Sequence, residues 1–369
     1  MTDAANRYNA LIRKTFDMLY SLCEGQKKTH SDLINLASQL LPITSGTQDV
    51  SQLPEYNDIL KSVVDLYESE VGIKTYAPNV LAADRQSKYW LYKLKGTTPR
   101  PFFDRYKLYL RQDGFDRKTI DNIEISCEEV LAYCANPRSK VDKKRGLVVG
   151  DVQSGKTANY LGLINLAYDY GYKIVILLAG TTNSLRVQTQ KRTDKGVIGA
   201  KSDSIGNSIE YIGVGFSPRE HYAVPFTNQS NDFAKFIQKN LNAAIADFNK
   251  PVVLVVKKNK SILESVSERL QSELSEQGLD SKSILIIDDE ADNASLNTNK
   301  PEKEPTTINR CIRAILNKFP IASYVGYTAT PFANIFINPN DRDPANLDLF
   351  PSDFIVQLNA PSTYWGGRR

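Results

Sequence analysis

The sequence predicts an α/β fold: a mostly parallel sheet covered by helices, preceded by a mainly helical N-terminal region. Three observations carry that expectation. From Arg145 onward, short runs that are apolar throughout alternate with helical segments, and strands apolar on both faces belong in a parallel sheet with helices on either side. Residues 1–140 instead place apolar residues at helical spacing. A glycine-bearing loop follows the first apolar run directly and opens a helix. These patterns divide the chain into residues 1–140 and 141–369.

In the first region LIRKTFDMLYSL, YNDILKSVVDLYESEV and IDNIEISCEEVLAYC read as helices. QLLPITSGTQDVSQLPEY reads as a Pro/Ser/Gly linker between them, and KGTTPRPFFDRY as a turn-rich stretch leading into an aromatic and basic run. GLVVG is the first strand of the second region. The helix after it is expected from Lys156 to Tyr170, with Gly171 suited to the left-handed position past its end. KIVILLAG, PVVLVV, SILIID and ASYVGY are the following strands. A helix from Ser261 to Gln277 is opened by Ser261 and Glu264 as a capping box and closed by Gly278. Residues 193–231, rich in Gly, Ser and Asn, read as a surface insertion.

With 41% apolar and 24% charged residues over 369 positions, the composition is that of an ordinary globular chain. A net charge of +4, from 46 basic and 42 acidic residues, permits a phosphate-bearing partner without demanding one. Cys23, Cys127, Cys134 and Cys311 include no CxxC pair and the histidines are His30 and His221, so spacing assembles no tetrahedral zinc set. Cys127 and Cys134 read as packed thiols of a reduced protein. The N-terminus lacks the apolar stretch of a signal peptide, and no window reaches the apolar length of a bilayer span. A cytoplasmic protein without membrane contact is therefore expected.

Gly150, Gly155, Lys156 and Thr157 satisfy GxxxxGK[ST] in full. Backbone N–H groups of such a loop, here including Gln153 and Ser154, point at the phosphates of a nucleotide such as ATP; Lys156 reaches the β/γ oxygens and the Thr157 hydroxyl holds Mg²⁺. A second carboxylate is needed at the metal, and SILIIDDEAD supplies Asp288, Asp289 and Glu290 after a buried strand. Asp289 is the expected metal ligand, with Asp288 as the alternative register. Glu290 is placed to orient or deprotonate the attacking water, and Asp292 to make supporting contacts.

DEAD at residues 289–292 together with GYTATP at 326–331 resembles motifs II and III of superfamily 2 helicases and translocases, following motif I at GDVQSGKT. That resemblance implies a RecA-like motor lobe. It also makes LLAGTTNSLRVQTQ, residues 177–190, a strand and helix start that meets a nucleic-acid backbone through Thr181, Thr182, Asn183 and Arg186. Small polar side chains and free N–H groups at a helix start bind phosphate without reading sequence, although TTNS taken alone is simply an N-cap. RGLVVGDVQSGKTANY, VILLAGTTNSLRVQTQ, IIDDEADNASLNT and YVGYTATPFANIFINP together resemble the endonuclease Z1 domain family over roughly residues 100–369. This is a helicase-like bacterial group associated with restriction or defence systems. The resemblance implies ATP binding and hydrolysis through Gly155, Lys156, Thr157, Asp289 and Glu290, coupling to DNA through Thr328 and Thr330, and partner subunits of a defence system.

Superfamily 2 motors also use a second lobe that brings an arginine across the ATP cleft, and only about forty residues follow TATP here. The second lobe is therefore expected to be absent. Because such an arginine is worth ~10³ to 10⁵ in rate, slow hydrolysis is the further expectation. PSDFIVQLN, residues 351–359, lacks the second acid and the lysine of a metal-dependent nuclease, so no local cleavage site is read. Two functions remain: an ATP-driven, helicase-like enzyme acting on DNA, and a nucleotide-gated scaffold that docks DNA or a partner with little turnover. A small-molecule kinase is disfavoured, since it needs neither DEAD nor TATP.

Overall fold

The structure, a computed structural model, describes residues 2–23, 30–46, 56–76, 78–150, 155–205, 208–216, 221–233, 250–276, 282–293, 295, 307–331, 349 and 351–358. The chain forms two compact units, Met1–Ala77 and Pro78–Arg369. In the first, α1 (Thr2–Leu22), α2 (His30–Ser45) and α3 (Tyr56–Tyr76) bury Phe16, Leu19, Leu33, Leu41, Val63 and Val64 in one core. Helix α2 runs through Pro42 into the stretch expected to be a linker. A proline inside a helix removes one N–H bond, and side-chain bonds fasten the turn that follows it. The Thr44 hydroxyl bonds the Leu40 carbonyl at 3.2 Å and the Thr15 hydroxyl at 2.7 Å, and the Gly46 N–H closes onto the Pro42 carbonyl at 3.1 Å.

The second unit is α/β. Its elements run β1 (Asn79–Ala82), α4 (Tyr89–Leu94), α5 (Pro101–Gln112), α6 (Arg117–Tyr133), β2 (Asp142–Val149), α7 (Lys156–Tyr170), β3 (Ile174–Ala179) and α8 (Asn183–Thr193). They continue with β4 (Val224–Pro225), β5 (Val252–Lys257), α9 (Lys260–Glu276), β6 (Ser283–Asp289), α10 (Thr307–Asn317), β7 (Ile321–Thr328) and β8 (Phe354–Gln357). The strands form one eight-stranded sheet in the order β1-β8-β2-β7-β6-β3-β5-β4. All neighbours are parallel except β1 against β8.

Because successive side chains of a strand point to opposite faces, each central strand feeds two cores. Val148, Val175, Leu285, Ile287 and Tyr327 face α5, α6 and α7. Ile174, Ile176, Ile284, Ile286 and Tyr324 face α9 and α10. Helices α4 to α6 precede residue 140 yet belong with the sheet, since Phe103, Tyr106, Ile123, Cys127 and Val130 are part of the first of these cores. Asp169 of α7 accepts the Phe102 and Phe103 N–H groups at 2.9 Å each, capping the start of α5 from a neighbouring helix.

Helix α7 ends at Gly171, whose φ of 111° a side chain would resist. The cap of α9 differs from the capping box expected at Ser261. Asn259 takes that place, its Oδ1 accepting the Ser261 hydroxyl at 2.8 Å and the Ile262 N–H at 3.4 Å. Gly278 lies outside the described residues. The segment expected to be a surface insertion is packed over much of its length. Val197, Ile198 and Val214 are buried, the Arg105 guanidinium donates to the Val197 carbonyl at 2.7 Å, and Asn165 donates to the Gly196 carbonyl at 2.9 Å. Among the described residues no helix is long and apolar enough to cross a membrane.

Candidate functional site

Strand order explains why distant motifs meet. Strand β7 lies between β2 and β6, with Val149 opposite Thr328 and Asp289 opposite Tyr327. Gly150, the acidic turn and the TATP turn therefore leave the sheet side by side at its carboxyl edge, where ligands bind in open α/β sheets. The Gly150 N–H bonds the Thr328 carbonyl at 3.0 Å, and the Ala291 N–H bonds the Tyr327 carbonyl at 3.0 Å.

Gln153 and Ser154, expected in the phosphate loop, lie outside the described residues. Gly155 closes that loop at φ 80°, and a Cβ built there would meet nothing within 4 Å, so conformation rather than space calls for glycine. Lys156 starts α7 with its ammonium on the Gly150 carbonyl at 2.7 Å. The first turn of α7 is pinned from below. Tyr106 donates to the Ala158 carbonyl at 2.9 Å, Tyr327 donates to Asn159 Oδ1 at 2.7 Å, and Asn159 donates to the Ser126 hydroxyl at 2.7 Å. Tyr160 is fully buried, packs edge-on against Tyr327 with centroids 5.7 Å apart, and has its hydroxyl within interaction range of Asp289, Thr157 and Arg192. Burial first, then the Asp289 charge, hold that hydroxyl above the usual tyrosine range.

The two aspartates of the acidic turn part company. Asp288 is fully buried on the α9 face, 2.7 Å from the equally buried Lys258 ammonium, and accepts the Tyr324 hydroxyl at 2.7 Å. The same ammonium donates to the Glu290 carbonyl at 2.6 Å and the Asn293 carbonyl at 2.9 Å, fixing the turn. Asp289 points to the α7 face, half-buried, near Tyr160. Burial, then the Glu290 carboxylate, push its pKa above the ordinary 3.8, while Lys258 opposes the shift. Glu290 is exposed and sits at φ 56°, a left-handed conformation costing a non-glycine residue about 1–2 kcal/mol. Asp292 accepts both threonines of TATP, Thr328 at 2.9 Å and Thr330 at 2.6 Å. Asp292 thereby joins the acidic turn to the TATP turn.

At the start of α8, Thr181, Thr182 and Asn183 are exposed at the end of β3. Thr182 caps the helix by accepting the Leu185 N–H at 3.4 Å, and Asn183 accepts the Lys257 ammonium at 2.9 Å. Arg186 does not join them. It is buried, with its two terminal nitrogens each 2.8 Å from the carbonyls of Asn228 and Gln229, which takes it away from a backbone phosphate. The reason is that α8 buries a polar stripe, Arg186, Thr189, Gln190 and Thr193, against the segment that follows it. Sequence reasoning missed Tyr160, Arg192, Lys258 and Tyr324. Lys258 alone left a signal, as a basic residue at the carboxyl end of a buried strand.

Thr157 and Asp289 offer a hydroxyl and a carboxylate near one tyrosine hydroxyl. These are hard oxygen donors of the kind that hold Mg²⁺ together with substrate phosphates. No protein-family model matches the chain, and no curated protein matches it. Among solved structures the chain is similar to one described as "The Structure Of A DnaB-Like Replicative Helicase And Its Interactions With Primase". Identity is 10%, over 89% of this chain and 75% of that one, with a TM-score of 0.24, too low to carry an argument.

Proposed function

We propose that this chain binds ATP with Mg²⁺ at the carboxyl edge of β2, β7 and β6 and hydrolyses it as a helicase-like motor lobe acting on DNA. The observation that supports this most is the convergence at one sheet edge of Lys156, on the Gly150 carbonyl after β2, with the acidic turn after β6 and the TATP turn after β7, the last two tied together through Asp292. Lys156 exchanges the Gly150 carbonyl for phosphate oxygens when nucleotide arrives. Thr157 and Asp289 would hold a Mg²⁺ ion, which would supply positive charge against the nucleotide's phosphates. Glu290, exposed on its left-handed turn, positions the attacking water and takes its proton. Thr328 and Thr330 transmit the state of the acidic turn along β7. The exposed Thr181, Thr182 and Asn183 are the surface offered to a nucleic-acid backbone. The resemblance of the motif wording to the Z1 domain family extends the proposal to a restriction or defence system with partner subunits.

The test is a calorimetric titration of Mg²⁺–ATP into residues 1–369 and into the Lys156→Ala variant. Loss of the charge-assisted bond should weaken binding by about 10- to 100-fold. Equal affinity in the two proteins rejects the site. ATPase assays with and without DNA then separate a motor, stimulated by DNA, from a gated scaffold, which is not.

A further inference from the structure

Arg192, in the last turn of α8, reaches back to the start of α7, where its Nη1 donates to the Thr157 hydroxyl at 3.3 Å. Its charge also acts on the buried Tyr160 hydroxyl. None of the ion pairs among the described residues includes it. The guanidinium is thus a cation held beside the phosphate loop by a neutral hydroxyl.

The backbone that carries it is locked. Thr193 bonds back to the Thr189 carbonyl at 2.9 Å. Asp194, fully buried, accepts Gln190 at 2.9 Å, Gln229 at 2.8 Å and the Ser202 hydroxyl at 2.9 Å. Beyond it, Gly196 and Val197 are tied by their carbonyls to Asn165 of α7 and Arg105 of α5. The side chain of Arg192 itself is exposed. A locked backbone under an exposed cation that reaches the first turn of α7 is an arrangement suited to electrostatic stabilisation of a phosphate bound there.

We propose that Arg192 is a catalytic residue supplied from within the same lobe, contacting the γ-phosphate of bound ATP. This rests on the nucleotide-binding reading above. In the nucleotide-free state the arginine occupies the Thr157 hydroxyl; on binding it releases that hydroxyl and takes γ-phosphate oxygens instead. The exchange is favourable because a guanidinium–phosphate bond is charge-assisted and roughly twice as strong as a neutral one, and the planar fork fits phosphate oxygens. In the chemical step the water oxygen bonds to the γ-phosphorus as the bond to the β,γ-bridging oxygen breaks. The electron pair of that bond leaves on ADP, the water proton goes to Glu290, and Arg192 stabilises charge on the γ oxygens. ADP offers no γ-phosphate, so the residue separates the two nucleotides.

The test compares Mg²⁺–ATP and Mg²⁺–ADP affinities of residues 1–369 with Arg192→Ala and Arg192→Lys, alongside thermal melting. Arg192→Ala should weaken ATP about 10- to 100-fold and ADP less than about 3-fold, with an unchanged melting temperature because the side chain is exposed. Arg192→Lys should recover only part of the ATP preference, since an ammonium lacks the fork. A wild-type ATP-to-ADP ratio in both variants overturns this inference while leaving the nucleotide site standing. Wild-type protein that takes neither nucleotide overturns both.

Discussion

Asp288 and Asp289 are neighbours in the chain, yet they occupy opposite faces of the sheet and live in different electrostatic worlds. Asp288 is sealed on the α9 face with a lysine, a tyrosine and no solvent, its charge answered inside the protein. Asp289 emerges on the α7 face beside Tyr160 and Glu290, where burial and like charge raise its pKa. A carboxylate already matched by a buried ammonium has little left to give a metal. Asp289, for which burial and the Glu290 charge outweigh the pull of Lys258, is the one whose repulsion a bound cation would relieve. The period of two along β6 therefore divides the acidic pair into an organiser of the turn, Asp288, and the carboxylate proposed above as the ligand, Asp289.

The strongest way to break this contrast is to remove the organiser's partner. Lys258→Met leaves Asp288 buried without its cation, and stability should fall by about 3–5 kcal/mol in urea denaturation. Adding Asp288→Asn should recover part of the loss. An unchanged midpoint in Lys258→Met would mean that the α9-face pair does not hold the turn.

A gentler probe sharpens the other half of the contrast, that of acids whose burial outweighs their partners. Asp169 is one: burial lifts its pKa from 3.8 to about 7, against the opposing Phe102 and Phe103 N–H bonds. The folded state binds this proton more tightly than the unfolded chain, so its contribution is complete below pH 3.8 and is lost as pH rises through about 7. Stability should decline over that window by at most about 1.4 kcal/mol per pH unit. Asp169→Asn should flatten the decline. A pH profile identical to wild type would show that Asp169 is not held protonated by its surroundings.

The central strands were legible because GLVVG, KIVILLAG, PVVLVV, SILIID and ASYVGY are apolar on both faces. That same property hid the orientation of Asp288 and Asp289, since a strand greasy on both sides gives no clue to which face is which. Strand β8 was overlooked because FIVQ is short and follows Pro351 and Ser352. Helix α6 showed its apolar periodicity plainly, but periodicity reports that a face is buried and not what covers it; α5 begins at Pro101, inside the stretch expected to be turn-rich, because proline suits the first turn of a helix as well as a turn. In α8 the helical spacing was visible while its buried side was polar, so Arg186 looked available and Arg192 drew no notice. The GxxxxGK[ST] pattern was legible because it is carried by spacing along the chain; Tyr160 and Lys258 act through contacts between distant segments.

The measurement closest to the central claim is the Mg²⁺ dependence of ATP binding in Asp289→Asn, with melting temperature as a check on folding. If Asp289 is the carboxylate that completes the site with Thr157, wild-type affinity should rise on adding Mg²⁺ and the variant's should lose about 10-fold or more of that gain while melting no lower. A folded Asp289→Asn protein with the full wild-type Mg²⁺ response would contradict the account.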